Sequence, residues 1–542
     1  MPRPNLPAKL LVAAMLACTA PLHAHSLLIS DVILVSPERA AQLVHAHVLV
    51  RDGRIAEIRQ SRPRGRFDQT LDGRGRWLTP GLIDSHVHLG SDAGLREDQA
   101  QAHPELRAAF LAQEPRSYLY FGFTHLVDLN ESEDFIRQWR ALPLTPGLSY
   151  CKSLPFPGGY GEAFLPESVR NRTPYLLDDP AQREFMPEGY EPEEHTPDAV
   201  LAKVARTPAI CVKTYFETGF AGLWDWPVPS DALIADVHQA AEARGRRHVH
   251  HANSLAGYRQ GLAARVDVLA HGLWHWDAHN AERKLPPTIA KLLDELIAAG
   301  IAIQPTSQVL GAELRLFDPA FLDDPRLRKA VPAALLDFYR SEDAQWFRRK
   351  MEQNLQRTEL VQQFLGAEAN GAPRQTSQVA LDRLQRVVRY LHAQGGRLLL
   401  GSDTPSSPTY TNPPGLNGLL ELQFLQEAGL SPQEALLAAT LDNARSFGLD
   451  GDLGSIEVGK RADLLLLSAD PLASVQAFDH IDQVILGGRV IERETLSSAW
   501  MLLKPPCSTR CADRRYRRVQ SAACLRHRAA RWKRCPPLLR PN

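Results

Sequence analysis

Gly81-Leu82-Ile83-Asp84-Ser85-His86-Val87-His88-Leu89-Gly90 follows directly on Leu78-Thr79-Pro80. Pro80-Gly81 is a turn signal, and Leu82-Ile83 is the apolar start of a short strand. His86 and His88 are two residues apart, and in a strand such residues share a face. Two imidazoles on one face at a strand end can grip one metal ion. The dipeptide spacing alone is weak, because the chain has 19 histidines and four His-x-His pairs: His23/His25, His45/His47, His86/His88 and His248/His250. The turn before it, the apolar lead-in and Gly90 after it set His86/His88 apart, at the end of a buried strand.

The 542 residues are 44% hydrophobic and 23% charged, as in a globular protein with a large core. Of 62 basic and 62 acidic residues, 12 basic and one acidic fall in 504–542, so the rest of the chain carries 50 against 61 and a net charge of −11. The tail, 496–542, is basic, lacks an apolar period and is expected to be disordered. Its cysteines, Cys507, Cys511, Cys524 and Cys535, do not match zinc-finger spacing, and no clear nucleic-acid partner follows from it. Only Cys151 and Cys211 lie in the body, which excludes a disulfide-built fold. Residues 1–24 read as a signal peptide: Arg3 and Lys9 precede the apolar run 10–17, and Ala24 ends it. The expected location is therefore periplasmic or secreted, with a lipid anchor on Cys18 as the alternative. No later run of 18 apolar residues exists, so no transmembrane segment is expected.

Residues 25–80 are β-rich, with 43–50 and 54–58 flanking the hairpin signal Asp52-Gly53. His45 and His47 fall in that hairpin and read as surface strand residues. A second β segment, 451–495, contains the runs 464–467 and 484–491. The two segments together suggest one small sheet domain built from both termini. Between them, 81–450 alternates strands with helices. After the His86/His88 strand come strands at 124–128, 148–153, 210–215, 249–251, 266–271, 301–305 and 398–403. Such alternation argues for a parallel sheet, and eight units for a closed (β/α)8 barrel. Two insertions, 154–197 and 306–392, each follow a strand and so belong to the face where barrels carry active sites.

Polar residues at the strand ends are His86 and His88 (first), Lys213 (fourth), His251 (fifth), His271 (sixth) and Asp403 (eighth). Several histidines with a carboxylate make a metal site with a position open to water. Asp84-Ser85-His86-Val87-His88, Gly122-Phe123-Thr124 with Asp128, 267–272 and Gly401-Ser402-Asp403-Thr404-Pro405 resemble strands one, two, six and eight of the amidohydrolase superfamily of metal-dependent hydrolases. The resemblance runs from about residue 28 to 492. It implies the barrel and the composite β-sandwich that the pattern suggests independently.

The resemblance also selects His251 over His250, because Ala252 follows it and His271 lies twenty residues on. It implies that His86, His88 and Asp403 hold one divalent ion, most simply Zn2+, and that His251 and His271 hold a second. Lys213 occupies the position of a lysine that becomes N6-carboxylated and bridges the two. Asp403 would take the proton of a metal-bridging hydroxide and pass it to the leaving amine. Ser254 stands where deaminases of the family show Glu, which argues against deamination. Pro157-Gly158-Gly159-Tyr160-Gly161 resembles a glycine loop of the Xaa-Pro dipeptidase and imidazolonepropionase-like group, with Tyr160 where histidine is common. The expected function is hydrolysis of an amide, cyclic amide or non-standard peptide bond in a small-molecule substrate. The alternatives are a lactonase, esterase or Xaa-Pro dipeptidase on the same metals, or a non-catalytic metal-binding barrel.

Overall fold

Leu464-Leu465-Leu466-Leu467 joins the two ends of the chain. In the computed structural model it forms a strand, Leu464–Leu467, antiparallel to Trp77–Pro80. The structure describes residues 25–503 apart from 164, 166–169, 171, 221–223, 357 and 367–371. The signal-peptide reading, Cys18 and the tail from 504 onward lie outside the described residues. In a strand, alternate residues face opposite sides. Leu464 and Leu466 pack with Leu27, Ile29 and Val48 in the sheet's own core, while Leu465 and Leu467 pack in the larger core that the barrel helices share. A strand covered on both faces needs an unbroken apolar run.

The sheet runs in the order Arg489–Glu492, Ile481–Leu486, Leu464–Leu467, Trp77–Pro80, Ser26–Leu34, Leu43–Arg51, Arg54–Arg59, with Gln69–Asp72 added beside Ser26–Leu34. Both termini thus contribute to it. The Asp52-Gly53 turn closes the hairpin with φ of 50° and 78°, the left-handed pair that a tight two-residue hairpin requires.

Trp77–Pro80 leads straight into the first barrel strand, Leu82–Val87, and Gly81 N–H donates to the Asp463 carbonyl at 2.9 Å. Six more parallel strands follow in register order: Phe123–Asp128, Gly147–Ser153, Cys211–Tyr215, Arg247–His251, Val268–Ala270 and Ala302–Gln304. The expected eighth strand, 398–403, is not a regular strand. It nevertheless closes the barrel, because Leu399 N–H donates to Ile303 O (2.9 Å) and Asp403 N–H to His86 O (2.8 Å). Each strand is followed by a helix: Pro104–Tyr120, Glu133–Ala141, Pro197–Val204, Asp231–Glu242, Leu255–Ala264, Pro287–Ala298, Pro373–Ala393 and Leu416–Glu427. Ser132, Thr196, Ser230 and Ser254 cap four of these by accepting an N–H of the first turn. The insert at 306–392 is mostly helical, and 154–197 mostly irregular. Among the described residues, no helix is long and apolar enough to cross a membrane.

One apolar cluster, with Val127, Cys151, Cys211, Val249, Val268, Ala302 and Leu399, draws side chains from successive strands and fills the barrel interior. Cys151 and Cys211, register partners on neighbouring strands, are joined there by a disulfide. The spacing of the body cysteines gave no sign of that bond.

Candidate metal centre

Period-two alternation from the barrel interior carries polar residues to the strand ends. Cys211 lies in the interior layer, and Lys213, two residues on, lies one layer nearer the mouth. Val249 and His251 repeat the relation on the next strand. His86 is fully buried, and its Nε2 lies 3.1 Å from Asp403 Oδ1. His88 Nε2 lies 3.1 Å from the same oxygen, with the His88 side chain about one-third exposed. His86, His88 and Asp403 can each offer one donor atom, all within 4.8 Å of one another. Among the described residues this is the only such group of three.

Lys213 Nζ lies 3.0 Å from His86 Nε2. One ring nitrogen cannot both accept from Lys213 and donate to Asp403, and His86 Nδ1 is buried without a partner. No single tautomer satisfies all these contacts. Lone-pair donors converging on one point do fit a cation, so the residues present suit the metal that the sequence implies. Burial drives the Lys213 amine down to about 8, although Asp403 and Asp128 pull the other way. Among the described residues Lys213 forms no carboxylate ion pair. An ordinary structural salt bridge therefore does not account for it. Burial pushes the Asp403 carboxyl up, but His86, His88 and His271 together hold it well below the usual carboxylate range.

His251 and His271 pack with ring centroids 4.3 Å apart, and His271 Nδ1 is 3.8 Å from Asp403 Oδ2. His271 Nδ1 also shares a 2.9 Å contact with Thr306 Oγ1. His250 takes the outer face of the same strand, where its Nδ1 meets Thr214 Oγ1 at 2.7 Å. His271, Thr306 and Asp403, at the ends of strands six, seven and eight, have φ of 79°, 45° and 52°. Left-handed backbone at three consecutive strand ends is a cost that marks a functional rim. Gly401 is required for close approach, since a Cβ there would sit 2.8 Å from His86 Cβ.

Supporting residues were less visible. Asp84, fully buried, accepts from Ser402 Oγ (2.6 Å) and Ser402 N (3.0 Å), tying strand one to strand eight beneath the metal group. Burial raises its carboxyl to about 7 in spite of these bonds. Glu217 and Asn253 flank His251. Glu217 continues the alternation Lys213, Tyr215, a signal that could have found it. Tyr160 stacks on His251 with centroids 4.5 Å apart and contacts the rings of Trp226 and Phe220. Ser254 caps helix Leu255–Ala264 through Gly257 N.

Residues 351–491 match the family model described as "Amidohydrolase family". A dihydroorotase of Anaeromyxobacter dehalogenans (strain 2CP-C) is 50% identical over 42 residues, 8% of this chain and 10% of that protein. An imidazolonepropionase of Geobacillus sp. (strain WCH70) is 37% identical over 90 residues, 16% of this chain and 20% of that protein. The chain thus spans only a tenth to a fifth of the length of these curated relatives. A solved Xaa-Pro dipeptidase with bound methionine shares the fold, with a TM-score of 0.58 and 18% identity over 86% of this chain and 100% of that one. The family match takes in the eighth barrel segment with Asp403. Over residues 351–491 the chain matches the amidohydrolase family, and the fold of the chain is shared with the solved dipeptidase.

Proposed function

We propose that the protein is a metal-dependent hydrolase of a C–N bond, an amide or cyclic amide, in a small molecule. The observation that carries this reading is the convergence of His86, His88 and Asp403 on one point, with Lys213 beside them. The amidohydrolase family match and the dipeptidase neighbour support the bond class. His86, His88 and Asp403 would hold one cation, His251 and His271 a second, and N6-carboxylated Lys213 would join the two. Divalent zinc, when bound, lowers the pKa of water and polarises a carbonyl. Lys213, buried and with its amine pulled down to about 8, has the neutral fraction needed to react with CO2. Asp403, held ionised by three imidazoles, would accept the attacking water's proton and return it to the leaving amine. Tyr160 and the rings around it would exclude water beside His251.

Zinc-loaded protein should be offered N-acyl amino acids, Xaa-Pro dipeptides and lactones. Turnover of an amide is expected, and turnover confined to the esters would overturn the C–N assignment. Metal below about 0.2 per chain after growth with zinc would favour a non-catalytic barrel, since sites of this donor set retain zinc. We also propose export to an oxidising compartment, on the charged and apolar pattern of residues 1–24 and the Cys151–Cys211 bond. Cell fractionation tests it: recovery in the cytosol alone would refute export.

A further inference from the structure

We infer that the aromatic wall beside His251 is a substrate subsite, and that the amide hydrolysed carries a flat aromatic ring on that side. The inference rests on the hydrolase reading above, which puts the scissile bond at the metal group, and adds what lies next to that bond. Tyr160 stacks on His251 with ring centroids 4.5 Å apart and meets Trp226 at 5.3 Å and Phe220 at 5.8 Å. Trp224 lies on Trp226, with centroids 5.2 Å and planes 11° apart. Phe220 stands at 83° to Trp226 and 85° to Trp224. The rings thus form a ladder leading away from His251, two nearly parallel indoles with a phenyl ring at right angles to both. An arene packs favourably in both arrangements, offset-stacked on one ring and edge-to-face against another.

The ladder ends in solvent. Trp224 is 41% exposed, and Tyr160, Phe220 and Trp226 are partly exposed. Leaving indole surface in water forgoes the gain of burying it. Apolar surface that stays exposed and runs into a polar site marks a place where a ligand binds. The loop that carries three of the rings is braced. Glu217, only 4% exposed, accepts from Gly219 N and from Asn253 Nδ2, each at 2.8 Å. Trp226 N–H donates to the Thr218 carbonyl at 3.0 Å. Glycine is required at 219, where φ is 136° and a Cβ would collide with the Trp224 carbonyl oxygen. Rings held in place before the substrate arrives lose little freedom when it binds.

The test uses the zinc-loaded full chain and two matched pairs of amides. N-benzoylglycine against N-cyclohexanecarbonylglycine puts the ring on the acyl side, and N-acetylphenylalanine against N-acetylcyclohexylalanine puts it on the amine side. In one pair the aryl amide should be favoured in kcat/KM by roughly 2–10-fold, the worth of one aromatic pair beyond its buried area. In Trp226→Leu that ratio should fall towards one. Trp224→Leu, at a half-exposed ring, should do the same and carries the comparison if Trp226→Leu does not fold. A merely structural loss would lower both members of a pair alike and leave their ratio unchanged. Amide turnover with no aryl preference in either pair, or a preference untouched in both variants, would overturn the subsite and leave the hydrolase reading standing. Where neither pair is turned over, equilibrium dialysis of phenylacetate against cyclohexylacetate makes the same comparison. Tighter binding of the aryl acid by wild type than by the variants would keep the subsite whatever the reaction, and equal binding of the two acids would overturn it. A wild-type dimer that Trp224→Leu dissociates, seen by sedimentation, would assign the wall to a second copy of the chain and overturn the inference.

Discussion

Asp403 Oδ1 lies 3.1 Å from Nε2 of His86 and 3.1 Å from Nε2 of His88, so one carboxylate oxygen serves both imidazoles of the His-x-His pair. The relation spans the closure of the barrel, where Asp403 N–H also donates to the His86 carbonyl at 2.8 Å. Asp403→Asn keeps the shape and removes the charge. It should lower kcat by about 10²–10⁴-fold, the range for a lost acid–base group, and reduce bound metal as well. Metal analysis and turnover on the best amide substrate check this. A variant within a few-fold of wild type in both would show that Asp403 is neither ligand nor base.

Lys213 divides a two-metal from a one-metal centre. If it is a carbamate bridge, Lys213→Ala removes a ligand from both cations and activity should collapse. Short carboxylic acids at roughly millimolar levels should partly restore turnover by supplying an anion at the vacated position. If Lys213 only packs, the variant would retain metal and rate while losing about 1–3 kcal/mol of stability. Full metal content with near wild-type turnover would refute the bridge.

The residues that alternation controls were legible in the sequence, and those that depend on register or on chain beyond a strand were not. Asp84 to His88 and Gly401 to Asp403 stood out because apolar lead-ins deliver polar residues to strand ends. The run Leu464–Leu467 was legible as part of a β segment, and the structure adds that both its faces are covered. His250 and His251 could not be separated by burial, since both are buried and both faces of a barrel strand are covered. Only the resemblance chose between them, and the structure sets His251 inside and His250 against Thr214. Glu217 lies past the expected strand end, 210–215, where alternation was not followed further. The Cys151–Cys211 bond needed the register of strands three and four, which spacing does not disclose.

Glu114, on helix Pro104–Tyr120, makes folding pH-dependent outside the metal group. Burial pushes its carboxyl up from 4.5 to about 8, despite a 3.4 Å bond from Gly90 N–H. Between those values the folded protein holds a proton that the unfolded chain has released. The stability this group gives is therefore complete below pH 4.5 and is lost as pH rises through 8, at up to about 1.4 kcal/mol per unit. Glu114→Gln imitates the neutral acid and should flatten that slope, leaving the variant more stable than wild type at pH 8. Denaturant midpoints of metal-free protein from pH 5 to 8 check it, and parallel slopes for the two proteins would refute it.

The Cys151–Cys211 bond closes a loop of 60 residues that carries the whole irregular insert between strands three and four. Restricting such a loop in the unfolded chain stabilises the fold by about 4 kcal/mol in the chain-entropy picture. Both sulfurs are fully buried in the barrel interior, so the native protein should resist reductant until it opens. Replacing both cysteines by alanine should cost about 2–4 kcal/mol, with the metal donors left in place because Lys213 is held by its own strand. Denaturant unfolding of the double variant against wild type measures the cost, and zinc content checks the site. Equal stability of the two would show that the bond constrains nothing. Alkylation of both cysteines in unfolded, unreduced wild type would show that the bond does not form.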